Sequence, residues 1–183
     1  MIYLIGGAPR AGKSILAQQL AAALKIGWVS TDLLMELLKV GNTDGPQGVW
    51  NAQPAAITAK ADWFFPYLER FVWGANSMAD HYIIEGVDFL PAHVAQLAGH
   101  YQIRSIFLGC TQMTLATFTQ FPGRSRGYAT LPAEMQQQIV ADVPRWSEFI
   151  RQESAQYGYP YLDTSGDFHQ CLHKAEAIVT ADL

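Results

Sequence analysis

The sequence predicts an α/β fold built on a mainly parallel sheet. Three observations lead there. Short apolar runs of strand length alternate with helix-patterned stretches from one end of the chain to the other. Runs such as MIYLIGG and HYIIEGV are continuously apolar rather than alternating, as strands covered on both faces are. The runs end in Gly, Ser, Asp or Glu, and parallel sheets place ligands at the carboxyl ends of their strands.

In order, MIYLIGG reads as a buried strand, and KSILAQQLAAALK as a helix whose apolar positions are Ile15, Leu16, Leu20, Ala23 and Leu24. IGWVSTD is a second strand, and TDLLMELLKV a helix capped by Thr31 or Asp32. GNTDGPQG is a loop by composition. Residues 54–80 read as a long aromatic helical stretch with Pro66 as a kink or joint. HYIIEGV is the third strand, LPAHVAQLAG a short helix, IRSIFLGC the fourth strand and TQMTLATFTQ a helix. FPGRSRGYATLP is a Gly-, Pro- and Arg-rich loop, and the helix after it carries a break or kink at Pro144. YPYLDTSG supplies the fifth strand, and HQCLHKAEAIVTADL the last helix.

Composition bounds the function. A chain of 183 residues that is 50% apolar folds around one well-buried core and is short for two domains. Its net charge of −4 argues against a binder of the nucleic-acid backbone. Cys110 and Cys171 show no metal-ligand spacing, and a disulfide is not expected, which fits a reducing cytoplasm. No basic leader and no bilayer-length apolar run is present, so neither a signal peptide nor a membrane span is expected. The five histidines form no metal-ligand group, and His169 and His173 read as surface residues.

The first strand is followed by GGAPRAGKS. Gly7, Gly12, Lys13 and Ser14 match G-x-x-x-x-G-K-[ST], the phosphate-binding loop. Its glycines let backbone N–H groups face an anion, and the helix opening at Lys13 directs its positive dipole end there. Gly7, Ala8, Pro9, Arg10, Ala11, Gly12, Lys13, Ser14 and Ile15 are thus the expected nucleotide cradle. Lys13 is the cation for the β- and γ-phosphates, and Ser14 a hydroxyl ligand for Mg²⁺.

The other strand ends add candidates. Asp32 could accept a proton from an attacking hydroxyl or hold a Mg²⁺-bound water, and it could also cap the next helix. Glu85 is the carboxylate for a magnesium or substrate site, Gly86 permits close approach of a ligand, and Asp88 is a weaker candidate. Arg124 and Arg126 could neutralise the transferring phosphoryl group from a closing lid. Arg145 and Arg151 back up that lid or pair on the surface with Glu148 and its neighbours. Trp50, Trp63, Phe64, Phe65, Tyr67, Phe71 and Trp73 read mostly as core, alternatively as a pocket lining. Lys60 and Arg70 are the only cations of that stretch, which favours an uncharged or aromatic hydroxyl compound over a phosphorylated acceptor.

On GGAPRAGKS, VSTDLL, IIEGVDFLP and GRSR, the chain resembles the P-loop kinases of the nucleoside-monophosphate-kinase-like group. That group includes adenylate, shikimate and gluconate kinases, chloramphenicol phosphotransferase, zeta-type toxins and 2-phosphoglycerate kinase. STDLL together with IIEGV is most similar to the 2-phosphoglycerate-kinase type. The resemblance implies a three-layer α/β/α domain over the whole chain, with a parallel sheet of order 2-3-1-4-5. It implies a helical acceptor-binding insert at about 41–80 and a short lid at about 121–131. It further implies Asp32 as catalytic or magnesium-linked carboxylate, Glu85 and Gly86 beside the acceptor, and Thr164 to Asp167 near the base.

The expected activity is ATP- and Mg²⁺-dependent phosphoryl transfer to a small molecule, without nucleic-acid or membrane partners. A slow nucleotide-binding regulatory module and a toxin-like kinase of a nucleotide-sugar are the alternatives. ATP or GTP preference and oligomeric state stay open.

Overall fold

The computed structural model describes residues 1–41, 50–120 and 130–181. Five strands form one parallel sheet: β1 (Ile2–Gly7), β2 (Gly27–Ser30), β3 (Tyr82–Glu85), β4 (Ile103–Gly109) and β5 (Tyr161–Asp163). Their order is β2-β3-β1-β4-β5, so β1 is central, and every residue of it is buried. Around the sheet lie α1 (Lys13–Leu24), α2 (Thr31–Lys39), α3 (Pro54–Met78), α4 (Pro91–Ala98), α5 (Leu115–Gln120), α6 (Ala133–Tyr157) and α7 (Phe168–Thr180). The α/β class, the parallel sheet and its order are those expected.

The pleat sends successive side chains of β1 to opposite faces. Tyr3 and Ile5 join Ile83, Ile106 and Leu108 under Leu16, Ala17 and Leu20 of α1 and Leu172, Ala175 and Val179 of α7. Ile2 and Leu4 face the other way, with Ile84 and Phe107, into Phe64, Leu68 and Val72 of α3, Val94 and Leu97 of α4 and Ile150 of α6. The two cores make three layers.

The buried stripe of α1 is Lys13, Leu16, Ala17 and Leu20, the i, i+3, i+4, i+7 set. Ile15 and Ala23, counted with the apolar face in the sequence, turn to solvent. Neither internal proline ends its helix. Pro66 lies within the 25 residues of α3 and Pro144 within the 25 of α6. Each removes one i to i−4 bond, but Pro66 is on the exposed side, where water can reach the freed carbonyl. Burial of Phe64 and Leu68 on the facing side keeps the axis continuous.

The aromatic stretch is mostly core. Phe64 is buried, and Trp63, Phe65 and Phe71 pack against the same cluster. Trp50 is tied to α6: its Nε1 donates to Asp142 Oδ2 over 2.7 Å, and its ring lies 5.6 Å from that of Trp146. Tyr67 and Trp73 are exposed.

Candidate active site

The carboxyl edge of the sheet collects almost every residue singled out above. The loop between β1 and α1 turns tightly, with Gly7 at φ 128° and Gly12 at φ 91°. A Cβ on Gly7 would lie 2.0 Å from the carbonyl oxygen of Leu108, so only glycine passes there. Lys13 is buried and its Nζ donates to the Ala8 carbonyl over 2.7 Å, curling back over the loop. Desolvation lowers the Lys13 pKa, while Glu85, Asp32 and Asp88, in that order, oppose the shift. The buried ammonium thus feels the charge of carboxylates from two strand ends.

Glu85 ends β3 and is buried. Its Oε1 accepts from the Ser14 hydroxyl across 3.0 Å. A carboxylate and a hydroxyl at this spacing are hard oxygen donors of the kind Mg²⁺ takes, and Ser14 and Glu85 fit such an ion. Among the described residues, no group of three or more His, Cys, Asp and Glu is placed to hold a metal.

Asp32, one of the two caps expected, stands in the first turn of α2, two residues beyond the cap observed. The cap is Ser30, whose side chain accepts from the Asp32 N–H over 3.4 Å. The Asp32 residue is exposed. Desolvation, then the charge of Asp88, raises its pKa, against the pull of Lys13 and Lys60.

Thr31, the other expected cap, is buried and donates from Oγ1 to Asp88 Oδ2 over 2.6 Å. The second oxygen of Asp88 pairs with Lys60 Nζ of α3 at 2.6 Å. Sequence reading ranked Asp88 below Glu85. Its role shows only in three dimensions, because Thr31, Lys60 and Asp88 are distant in the chain. Gly86 serves the same contact. A Cβ there would sit 1.8 Å from Thr31 Oγ1, so a side chain of α2 closes on Gly86.

The other candidates are placed as follows. Arg10 adopts φ 65° and lays its guanidinium 5.1 Å from the ring centroid of Phe118, on α5. Thr164 donates to the Gly109 carbonyl, and Asp167 caps α7 by accepting from Gln170 N–H. Ser165 binds Asp163, whose burial would raise its carboxyl pKa; hydrogen bonds from Ser165 and Thr111 outweigh this and hold it low. These side chains are engaged in joining β4 to β5. Arg151 makes a two-pronged pair with Glu148, at 2.8 and 2.7 Å, as the surface alternative expected, and Arg145 pairs with Asp142. Arg124, Arg126 and nearly all of the expected lid lie outside the described residues, as do residues 42–49 of the insert.

Arg70 lies away from the carboxyl edge of the sheet. It stacks on Trp73, 4.0 Å from the ring centroid, and borders an open apolar groove of about 530 Å³ with Leu34, Leu38, Phe71 and Tyr82. Tyr82 begins β3 and Glu85 ends it, so this groove opens toward the amino edge of the sheet.

No family model matches the chain, and neither does any curated protein. Solved structures do. A sugar kinase from Janibacter superposes with a TM-score of 0.56 at 13% identity, covering 98% of this chain and 95% of that one. Shikimate kinase from Bacteroides thetaiotaomicron gives 0.55 at 12% identity, over 96% of each chain. Shikimate kinase from Acinetobacter baumannii, in complex with shikimate, gives 0.51 at 18% identity, over 97% and 91%. The fold is that of the P-loop small-molecule kinases.

Proposed function

We propose that this chain is an ATP- and Mg²⁺-dependent phosphotransferase that moves the γ-phosphoryl group to a hydroxyl of a small molecule. One observation carries the reading: Lys13, Ser14, Glu85 and Asp32 gather around a phosphate-binding loop, with Lys13 under the charges of Glu85 and Asp32 together. A regulatory nucleotide module needs the loop but has no use for a carboxylate left open at the acceptor side. The kinases and sugar kinase that share the fold make the reading economical.

In this mechanism, Lys13 leaves the Ala8 carbonyl to meet the β- and γ-phosphate oxygens, which compensate its desolvation. Ser14 and Glu85 would hold Mg²⁺, which would offset charge on the phosphate oxygens. Asp32, ionised, accepts the proton of the acceptor hydroxyl. That oxygen bonds to the γ-phosphorus, the bond from phosphorus to the β,γ-bridging oxygen breaks, and ADP leaves. The raised pKa makes Asp32 a better base than an ordinary carboxylate.

The experiment is to incubate the protein with Mg-ATP and a pool of small hydroxylated metabolites and to follow new phosphorylated masses, with Lys13→Ala as blank. A phosphorylated compound absent from the blank is the expected result. ATP binding with no product above the blank would overturn the reading in favour of a binding module.

A further inference from the structure

The acceptor side of the site has an unusual charge arrangement. Only two cations lie on α3, and Arg70 is turned to the groove near the amino edge. Lys60 is therefore the one cation this helix brings toward Asp32, and it is already engaged: its Nζ lies 2.6 Å from Asp88 Oδ1. The Asp88 side chain is 0% exposed, whereas that of Lys60 is 33% exposed. Thr31 Oγ1 fixes the other Asp88 oxygen at 2.6 Å, so the carboxylate cannot turn away to follow a ligand.

We propose that Asp88 is a specificity-determining residue: by holding Lys60 it withdraws that cation from the acceptor, and the site takes hydroxyl compounds that carry no carboxylate or phosphate, namely uncharged polyols and amino alcohols. The proposal rests on the kinase reading above and adds the acceptor class to it.

The physical reason is an asymmetry. For Lys60 to bind an acceptor anion it must leave Asp88, and a fully buried carboxylate would remain without its counter-charge. Removing one partner of a buried pair is among the costliest single changes in a protein, and an ion pair at a partly open position returns little. The carboxylates of α2 disfavour an anion as well. Asp32 is exposed in the first turn of α2, and Glu36 follows one turn later, paired with Lys39. Lys13 is reserved for the nucleotide phosphates. A neutral hydroxyl compound meets none of these costs, and an ammonium group would gain from Asp32.

The test separates the two levels of the argument. A small-molecule extract is split on an anion exchanger, and each fraction is incubated with the full chain, Mg-ATP and a Lys13→Ala blank. New phosphorylated masses from the unretained, non-anionic fraction alone are expected. Products from the retained fraction would overturn the acceptor class and leave the kinase intact. No product from either fraction would overturn the kinase reading and this proposal with it.

The second arm uses glucitol, gluconate and glucamine, a matched neutral, acidic and amino set. Asp88→Asn keeps an acceptor for Thr31 and releases Lys60. Its preference for gluconate over glucitol should rise at least about 10-fold, in KM rather than kcat, and Asp88→Asn with Lys60→Met should lose that gain. An unchanged preference in a folded Asp88→Asn variant would overturn the role of Asp88. The fractionation of the unaltered protein stands even if that variant does not fold.

Discussion

The Ser14 hydroxyl donates to Glu85 over 3.0 Å, joining the first turn of α1 to the end of β3. This bond makes the phosphate loop and the acidic strand end one unit. Glu85→Gln can still accept from Ser14, so the fold should survive while the carboxylate ligand is lost. The Mg²⁺ concentration for half-maximal turnover should rise about 10–100-fold. A magnesium titration checks it, and an unchanged midpoint would remove Glu85 from the metal site.

Asp32→Asn should lower turnover about 10²–10⁴-fold, the usual range for loss of a general base. In the unaltered protein, the acid limb of the rate profile should lie above the ordinary carboxylate value of 3.8, because the Asp32 pKa is raised. A raised carboxylate pKa means the folded state binds the proton more tightly than the unfolded chain does. Asp32 therefore subtracts stability as pH rises from 3.8 through its folded value. Asp32→Asn should melt at the same temperature or higher at neutral pH, an exchange of stability for function. A lower melting temperature would contradict this account of its surroundings.

His93 illustrates the opposite sign. Its Nδ1 accepts from the Leu90 N–H over 3.2 Å at the start of α4, its Nε2 meets Asp62 Oδ1 at 2.9 Å, and its ring stacks on Phe65. The neutral tautomer with hydrogen on Nε2 satisfies both contacts. Burial lowers its pKa below 6.5, although Asp62 pulls the other way. A lowered histidine pKa stabilises the fold fully above 6.5, and that contribution is lost as pH falls through the folded value. The urea midpoint should drop more between pH 7 and 5 for the unaltered chain than for His93→Gln. Parallel curves would show that His93 does not titrate in that interval.

Gly86→Ala places a Cβ 1.8 Å from Thr31 Oγ1 and 2.7 Å from Thr31 Cβ. The start of α2 must move, and with it the Thr31 bond to Asp88 and the position of Asp32. A loss of more than about 2 kcal/mol is expected, as for overpacking in a tight core. Chemical denaturation measures it, and a loss below about 0.5 kcal/mol would mean that α2 gives way easily.

Much of this was legible in the chain because it is encoded locally. Continuous runs such as those around Ile2–Gly7 mark buried strands, and Gly7, Gly12, Lys13 and Ser14 mark the phosphate loop within one segment. What local reading missed depends on contacts between distant segments. Nothing near Asp88 in sequence reveals that Lys60 and Thr31 will meet it. The cap is Ser30 rather than Thr31 or Asp32 because all three suit that position, and packing under Gly86 turns Thr31 inward. Pro66 reads as a kink or joint and Pro144 as a break or kink because the penalty of a proline is local, whereas the burial that outweighs it belongs to the sheet.

The central place of β1 has a consequence for how the molecule is made. Its register pairs Ile2 with Tyr82 on one side and with Ile103 on the other. Translation at about 5–20 residues per second delivers Tyr82 roughly 4–16 s after Ile2. During that interval the apolar segment IYLIGG has no native neighbour, and its edges can pair with another nascent chain. Only α1 follows it promptly enough to shield one face. The segment that emerges early is thus among the last to be completed, and crowding on a polysome or loss of α1 helicity should cost soluble yield before it costs the stability of the finished protein.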